Sequence, residues 1–167
     1  MNNSVLTFAK KHRGKISGNV LEVGSQIVNG TVRDVLAISV GCDMVDGPGV
    51  DQVVDSSGLL VQFGPDSWDC VVSCDALEHM AAWKDAIENM WGVLKPEGLL
   101  FLTLANPRKG YHGYPSDYWR WPMERFKLLF GQNEILDTFF EGPSMGVLVR
   151  KGSHPLDLSI KPDPVRR

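Results

Sequence analysis

Residues 20–24 read Val-Leu-Glu-Val-Gly, an apolar strand that runs directly into a glycine. The next apolar run, 37–42, ends on Asp43. Together these features constrain the fold more than anything else in the chain. Glycine at the first turn lets a ligand approach the backbone closely, because no Cβ intervenes. A carboxylate at the tip of the neighbouring strand can accept two hydrogen bonds from a ribose diol. That layout is a nucleoside-cofactor site at the carboxyl ends of parallel strands.

The remainder reads as one α/β domain. At 167 residues a chain buries roughly 70% of its unfolded surface, enough for one core. A short helix is expected over 5–11, with strands over 19–23, 37–42, 50–54, 68–74 and 99–105. Thr31 is placed to cap a short helix reaching 35 or 36. Ala82, Trp83, Ala86, Ile87, Met90, Trp91 and Leu94 recur at helical spacing, so 82–94 predicts a helix with one apolar face. Lys95-Pro96-Glu97-Gly98 stops it. Residues 106–121 form a long polar-aromatic loop, 123–130 a short helix, and 135–141 with 145–150 two strands around Gly142-Pro143-Ser144. Strands alternating with helices mean a parallel sheet, to which the terminal hairpin adds an antiparallel edge strand. The domain is expected over 1–151. Residues 152–167, with prolines at 155, 162 and 164, are expected to be a loose or draped tail.

A net charge of −3 argues against a broad nucleic-acid surface, which needs a basic face. The basic cluster over 10–15 reads as the solvated end of the first helix. No stretch approaches the roughly 18 apolar residues that span a bilayer, and the N-terminus lacks the apolar segment of a secretory signal. Cys42, Cys70 and Cys74 are odd in number and lie in apolar runs. Buried reduced thiols and a cytoplasmic location follow as expectations. Cys70 and Cys74, four apart on one strand, are too far apart to chelate and have no second pair, so no metal site is expected.

Four segments in order carry a family resemblance. They are Leu21-Glu22-Val23-Gly24-Ser25, Cys42-Asp43-Met44, the run from Trp68 through Asp75-Ala76-Leu77-Glu78-His79, and Val93-Leu94-Lys95-Pro96-Glu97-Gly98-Leu99-Leu100. Over roughly residues 18–151 the chain resembles the class I S-adenosylmethionine-dependent methyltransferases, in particular their small type 11-like members. The resemblance implies a Rossmann-like three-layer sandwich: a mostly parallel seven-stranded sheet whose terminal strand is antiparallel. It departs at Gln26, which stands where the family's turn has a second glycine; the next glycine is Gly30. Contacts in this turn therefore carry over only as far as Gly24 and Ser25.

The resemblance implies S-adenosylmethionine as cofactor and assigns residues to it. Asp43 would accept both ribose hydroxyls, and Met44 would pack on the adenine. Asp55 would accept the adenine amino group, with Ser56 offering a backbone N–H. Gly24, Ser25 and the Cys74 carbonyl would hold the methionine end, with Glu22 organising the turn behind them. Candidate general bases are His112, His79 and Tyr118, in that order. The alternative for Glu78 or His79 is to order the loop or cap the helix that follows. Tyr114, Tyr118, Trp119 and Arg120 would wall the acceptor, Arg120 clamping an anionic group. Equally open is a packed loop, with Tyr118 and Trp119 plugging the core and Arg120 paired to an acid. The expected reaction is methyl transfer to a small-molecule acceptor. Two other classes remain: a cofactor-binding or partner-regulating module without catalysis, and a nicotinamide-dependent oxidoreductase, which the missing Gly-x-Gly-x-x-Gly turn disfavours.

Overall fold

A computed structural model describes residues 2–113 and 116–165. The chain opens with α1 (Asn3–His12), whose N-terminus is capped by the Asn2 side chain accepting from Ser4 N. The strands β1 (Val20–Val23), β2 (Val40–Asp43) and β3 (Gln52–Val53) follow, then the short α2 (Leu59–Phe63) and β4 (Trp68–Cys74). A 3-10 turn over Leu77–His79 leads to α3 (Trp83–Val93) and β5 (Leu94–Ala105). After the long loop come β6 (Trp119–Arg120), α4 (Met123–Leu128), β7 (Glu134–Glu141), β8 (Ser144–Arg150) and β9 (Asp163–Pro164).

Seven strands form one sheet in the order β3-β2-β1-β4-β5-β8-β7. The first five run parallel, and β8 is antiparallel to both neighbours, β5 and β7. The mostly parallel seven-stranded architecture with an antiparallel terminal strand is thus as expected. The antiparallel strand is not at the edge, however. β8 is inserted between β5 and β7, and burial accounts for the order: Met145, Val147, Leu148 and Val149 are all fully buried, whereas β7 has only half-buried and exposed positions.

Two apolar layers flank the sheet. On one face Val5, Phe8 and Ala9 of α1 pack with Val32, Leu36, Phe101 and Leu148. On the other, Ala86, Ile87, Met90 and Trp91 of α3 join Leu59, Trp121, Phe126 and Phe130. The helix expected after Thr31 is reduced to a single turn, closed by Leu36 N donating to Val32 O over 2.8 Å. The 152–165 segment is draped and pinned. Leu156, Leu158 and Ile160 lie against the core, and β9 pairs with β6.

The basic cluster is the end of α1, as its charge pattern implied, yet His12 turns inward. Its Nε2 lies 2.7 Å from Asp137 Oδ2, and Lys11 Nζ lies 2.6 Å from the same oxygen. Burial pushes the Asp137 carboxyl up, but the hydrogen bonds from Lys11, His12 and Thr138 N outweigh it and hold its pKa below the ordinary value. A carboxyl held low in the fold stabilises it above the unfolded pKa, about 3.9, and that contribution is lost as pH falls through the folded value. Asp137→Asn is therefore expected to destabilise the protein by on the order of 1 kcal/mol at neutral pH. In urea titrations the gap to the wild type should close as the pH approaches 3.

Candidate active site

The carboxyl ends of β1, β2 and β4 open into a cavity of about 710 Å³, within the range of small-molecule sites. Glu22, Gly24, Ser25, Asp43, Met44, Asp55, Ser56 and Cys74, the eight residues expected to hold a cofactor, all line it. Asp43 closes its inner edge. Its Oδ2 accepts from Gln26 N and its Oδ1 from Val45 N, each over 3.2 Å. One bond per oxygen leaves lone pairs for further donors. Asp55 caps the 3-10 turn at Ser56–Gly58, with Oδ1 accepting from Ser57 N and Oγ. Those bonds hold its carboxyl below the ordinary range, and so ionised.

The turn after β1 departs from a glycine-rich helix start. Gly24 has φ of 77°, and a Cβ there would lie 2.5 Å from the Ala76 methyl. Ser25 N then donates to Cys42 O and Ile27 N to Pro48 O, so the chain crosses the β2–β3 loop instead of winding into a helix. Gln26 lies against Gly47, with its amide donating to Asp46 O. This path is why a second glycine is not required at 26. Ser25 Oγ is buried and has no partner among the described residues.

Arg33 secures this arrangement, a role its position in the sequence did not signal. Its Nε donates to Glu22 Oε2 over 2.8 Å, and its Nη2 donates to Gly49 O and Asp51 Oδ2 over 2.7 and 3.1 Å. Burial raises the Glu22 pKa, and Arg33 opposes the rise. Asp51 in turn accepts from Gly41 N. Glu22 thus anchors Arg33 behind the turn. Burial also pushes the Cys42 thiol up to about 12 and the Cys74 thiol well above its ordinary value. All three cysteines are buried and free, and protonated thiols of this kind are inert.

A carboxylate–histidine group stands at the far side. Asp75, at φ 49°, accepts from Thr103 Oγ1. Glu78 is fully buried, and its Oε1 accepts from Ala105 N over 2.9 Å. Burial, reinforced by Asp75, pushes the Glu78 carboxyl up to about 8. His79 and His112 line the cavity, their ring centroids 5.0 Å apart at an interplanar angle of 73°. The residues not foreseen on the wall include Asn2, Thr31, Asp75 and Lys109. Asn2 could have been found from its capping position ahead of Ser4; nothing local marks Lys109.

Residues 21–102 match the family described as a methyltransferase domain. The chain as a whole has the Rossmann-like fold of solved methyltransferases. It is similar in structure to the Burkholderia thailandensis 1,6-didemethyltoxoflavin-N1-methyltransferase, crystallised with 1,6-didemethyltoxoflavin and S-adenosylhomocysteine. That match has a TM-score of 0.66 at 13% identity, covering 90% of this chain and 78% of the other. It is likewise similar to an S-adenosylmethionine-dependent methyltransferase from Archaeoglobus fulgidus, with a TM-score of 0.65 at 14% identity, covering 89% and 93%. No curated protein matches the sequence. Among the described residues, no helix is long and apolar enough to cross a membrane.

The aromatic loop departs from the acceptor-wall expectation. Tyr118, Trp119 and Arg120 do not border the cavity, and Tyr114 lies outside the described residues. Trp119 Nε1 donates to Met80 O, and Tyr118 N donates to Glu78 O. Tyr118 therefore lies off the cavity, whereas His79 and His112 border it. Arg120 is buried and spent. It donates to Asp117 through both Nη atoms over 2.5 and 2.7 Å, and to the carbonyls of Lys109, Gly110 and Trp119. No donor remains to clamp an anionic acceptor, so the packed-loop alternative describes this side chain.

Arg120→Ala strands the buried Asp117 carboxylate, a loss worth about 3–5 kcal/mol. The variant should melt well below the wild type, and loop residues 109–113 should lose hydrogen-exchange protection. An unchanged melting temperature would return the guanidinium to a ligand role.

Proposed function

We propose that the domain binds S-adenosylmethionine and transfers its methyl group to a small-molecule acceptor. The observation that supports this reading is the convergence of all eight expected cofactor residues, from four separate segments, on one cavity at the strand ends. The residues fit the group. Ser25 offers a buried hydroxyl with no partner among the described residues, and Asp43 keeps a free lone pair on each oxygen. When bound, the cofactor's sulfonium supplies an activated methyl for in-line displacement.

The chain's own contribution is placement. Asp43 would hold the ribose diol and Met44 would cover the adenine, with Asp55 and Ser56 reading its edge. Gly24, Ser25 and the Cys74 carbonyl would take the methionine end, with Glu22 and Arg33 fixing the turn behind them. Holding both reactants in line can supply several kcal/mol, on the order of the 7–11 seen for well-oriented intramolecular reactions. The Burkholderia relative's small heteroaromatic ligand supports an acceptor of that size. A catalytic base is needed only where the acceptor must lose a proton.

Isothermal titration of the folded protein with S-adenosylhomocysteine should show saturable one-to-one binding, and NAD should not compete. Absence of heat at millimolar ligand overturns the reading, and preferential NAD binding favours the oxidoreductase class. Turnover on an acceptor panel separates an enzyme from a binding module. Asp43→Ala should weaken cofactor binding by about 1.5–3 kcal/mol, the value of a hydrogen bond to a charged group. Asp43→Asn, which keeps an acceptor for the Gln26 and Val45 amides, should preserve the turn and lose only part of that affinity. Unchanged titrations in both variants would remove Asp43 from the site.

A further inference from the structure

We infer that Glu78, His79 and His112 form a binding site for a divalent transition-metal cation on the wall of the cavity. One ligand atom from each residue lies within 4.8 Å of the other two. His112 Nε2 stands 3.9 Å from Glu78 Oε1. Ligand atoms on a tetrahedral ion at about 2.1 Å lie about 3.4 Å apart, so binding requires a modest inward movement. Both histidines are only half-buried and can make it.

His79 already holds the tautomer that metal ligation needs. His79 Nδ1 is hydrogen-bonded to the Ser116 carbonyl. A carbonyl only accepts, so the proton is on Nδ1 and the Nε2 lone pair is free. His112 Nδ1 lies 2.9 Å from Asp117 Oδ2. Arg120 Nη2 also approaches His112 Nδ1, at 3.1 Å, beside its shorter bonds to Asp117 Oδ2 and Gly110 O. Arg120 only donates, so Nδ1 accepts in this arrangement; a cation at Nε2 takes the other tautomer, in which the proton moves to Nδ1 beside Asp117 Oδ2. Histidines that ligate metals characteristically give their other nitrogen to a carbonyl or carboxylate in this way.

Glu78 supplies the third donor and an independent observation. The residue has no exposed surface, and its Oε2 has no partner among the described residues. A buried carboxylate oxygen without a partner is costly, and a cation bound by this carboxylate offsets that cost. Two imidazoles and one carboxylate suit zinc and its first-row neighbours better than magnesium or calcium. Three protein ligands leave an open position, and His79 and His112 both face the cavity. Resting on the methyl-transfer reading, the acceptor class that fits is one offering an oxygen donor to that position.

Metal-stripped protein titrated with cobalt(II) alone, with visible spectroscopy, tests the site. The expected result is one ion per chain, with the d–d bands of nitrogen and oxygen ligation and no sulfur charge-transfer band. His79→Ala and His112→Ala, each checked by circular dichroism and melting, should weaken binding by more than about tenfold. Magnesium should not compete. Lack of stoichiometric binding by the wild type overturns the inference, as does a sulfur band or unchanged affinity in a folded histidine variant. S-adenosylhomocysteine titration of the same wild-type sample is read separately. Cobalt binding without cofactor binding sinks the methyl-transfer reading and leaves the metal site standing; the converse does the reverse.

Discussion

The contacts of Arg33 with Glu22, Gly49 O and Asp51 hold the cofactor end of the sheet together. One guanidinium joins the tip of β1 to the loop between β2 and β3, and Asp51 extends the tie to Gly41 in β2. The close approach explains Gly41 as well, because a Cβ there would collide with the guanidinium and with Gly49 O. Charge-assisted bonds of this kind are short and geometrically specific. Burial alone would lower the Arg33 pKa, and its bonds to Glu22 and Asp51 more than reverse that.

This tie takes over a task that a longer helix would otherwise perform. The connection from β1 to β2 holds one helical turn, and from β2 to β3 only a loop. Without a helix dipole and its row of amides, the cavity is shaped by side chains and crossing loops. A second polar hub operates at the other side. Asp117 and Arg120 gather the carbonyls of residues 109, 110 and 119 around a buried ion pair, and so set the position of His112. Each hub is a buried charge pair whose specificity of geometry matters more than its net stabilisation.

The parallel strands and the ligand edge were legible because their signals are local. An apolar run ending in glycine or an acid needs no tertiary information, and Gly24, Asp43, Asp55 and Cys74 all fell on the cavity. The helix after Thr31 failed because its cap is real but short-lived. Thr31 Oγ1 accepts from Arg33 N, and Val32 and Leu36 are then drawn into the core while Arg33 turns to Glu22. Arg120 was ambiguous because an arginine among aromatics looks the same whether it faces a ligand or Asp117. The edge assignment of the final hairpin strand failed for a similar reason. Burial separates the half-buried and exposed 134–141 from the buried 145–149, but both runs are apolar in the sequence, and hairpin order suggests the opposite. The meeting of Glu78 and His79 with His112, more than thirty positions later, had no signature at all in the sequence.

The placement of β8 also bears on how the chain reaches its native state. β5 is flanked by β4, which precedes it, and by β8, which is not made until 39 residues after β5 ends. During synthesis β5, at twelve residues the longest strand described in the sheet, therefore spends an interval with one set of backbone groups unpaired. The segment that closes this gap must enter between β5 and β7 rather than add to an outer edge. Long-range strand pairing of this kind is slow and leaves an intermediate prone to association. For a cell, the vulnerable moment of this protein is the arrival of Ser144–Arg150, when the open flank of β5 is the template that any other extended chain could occupy.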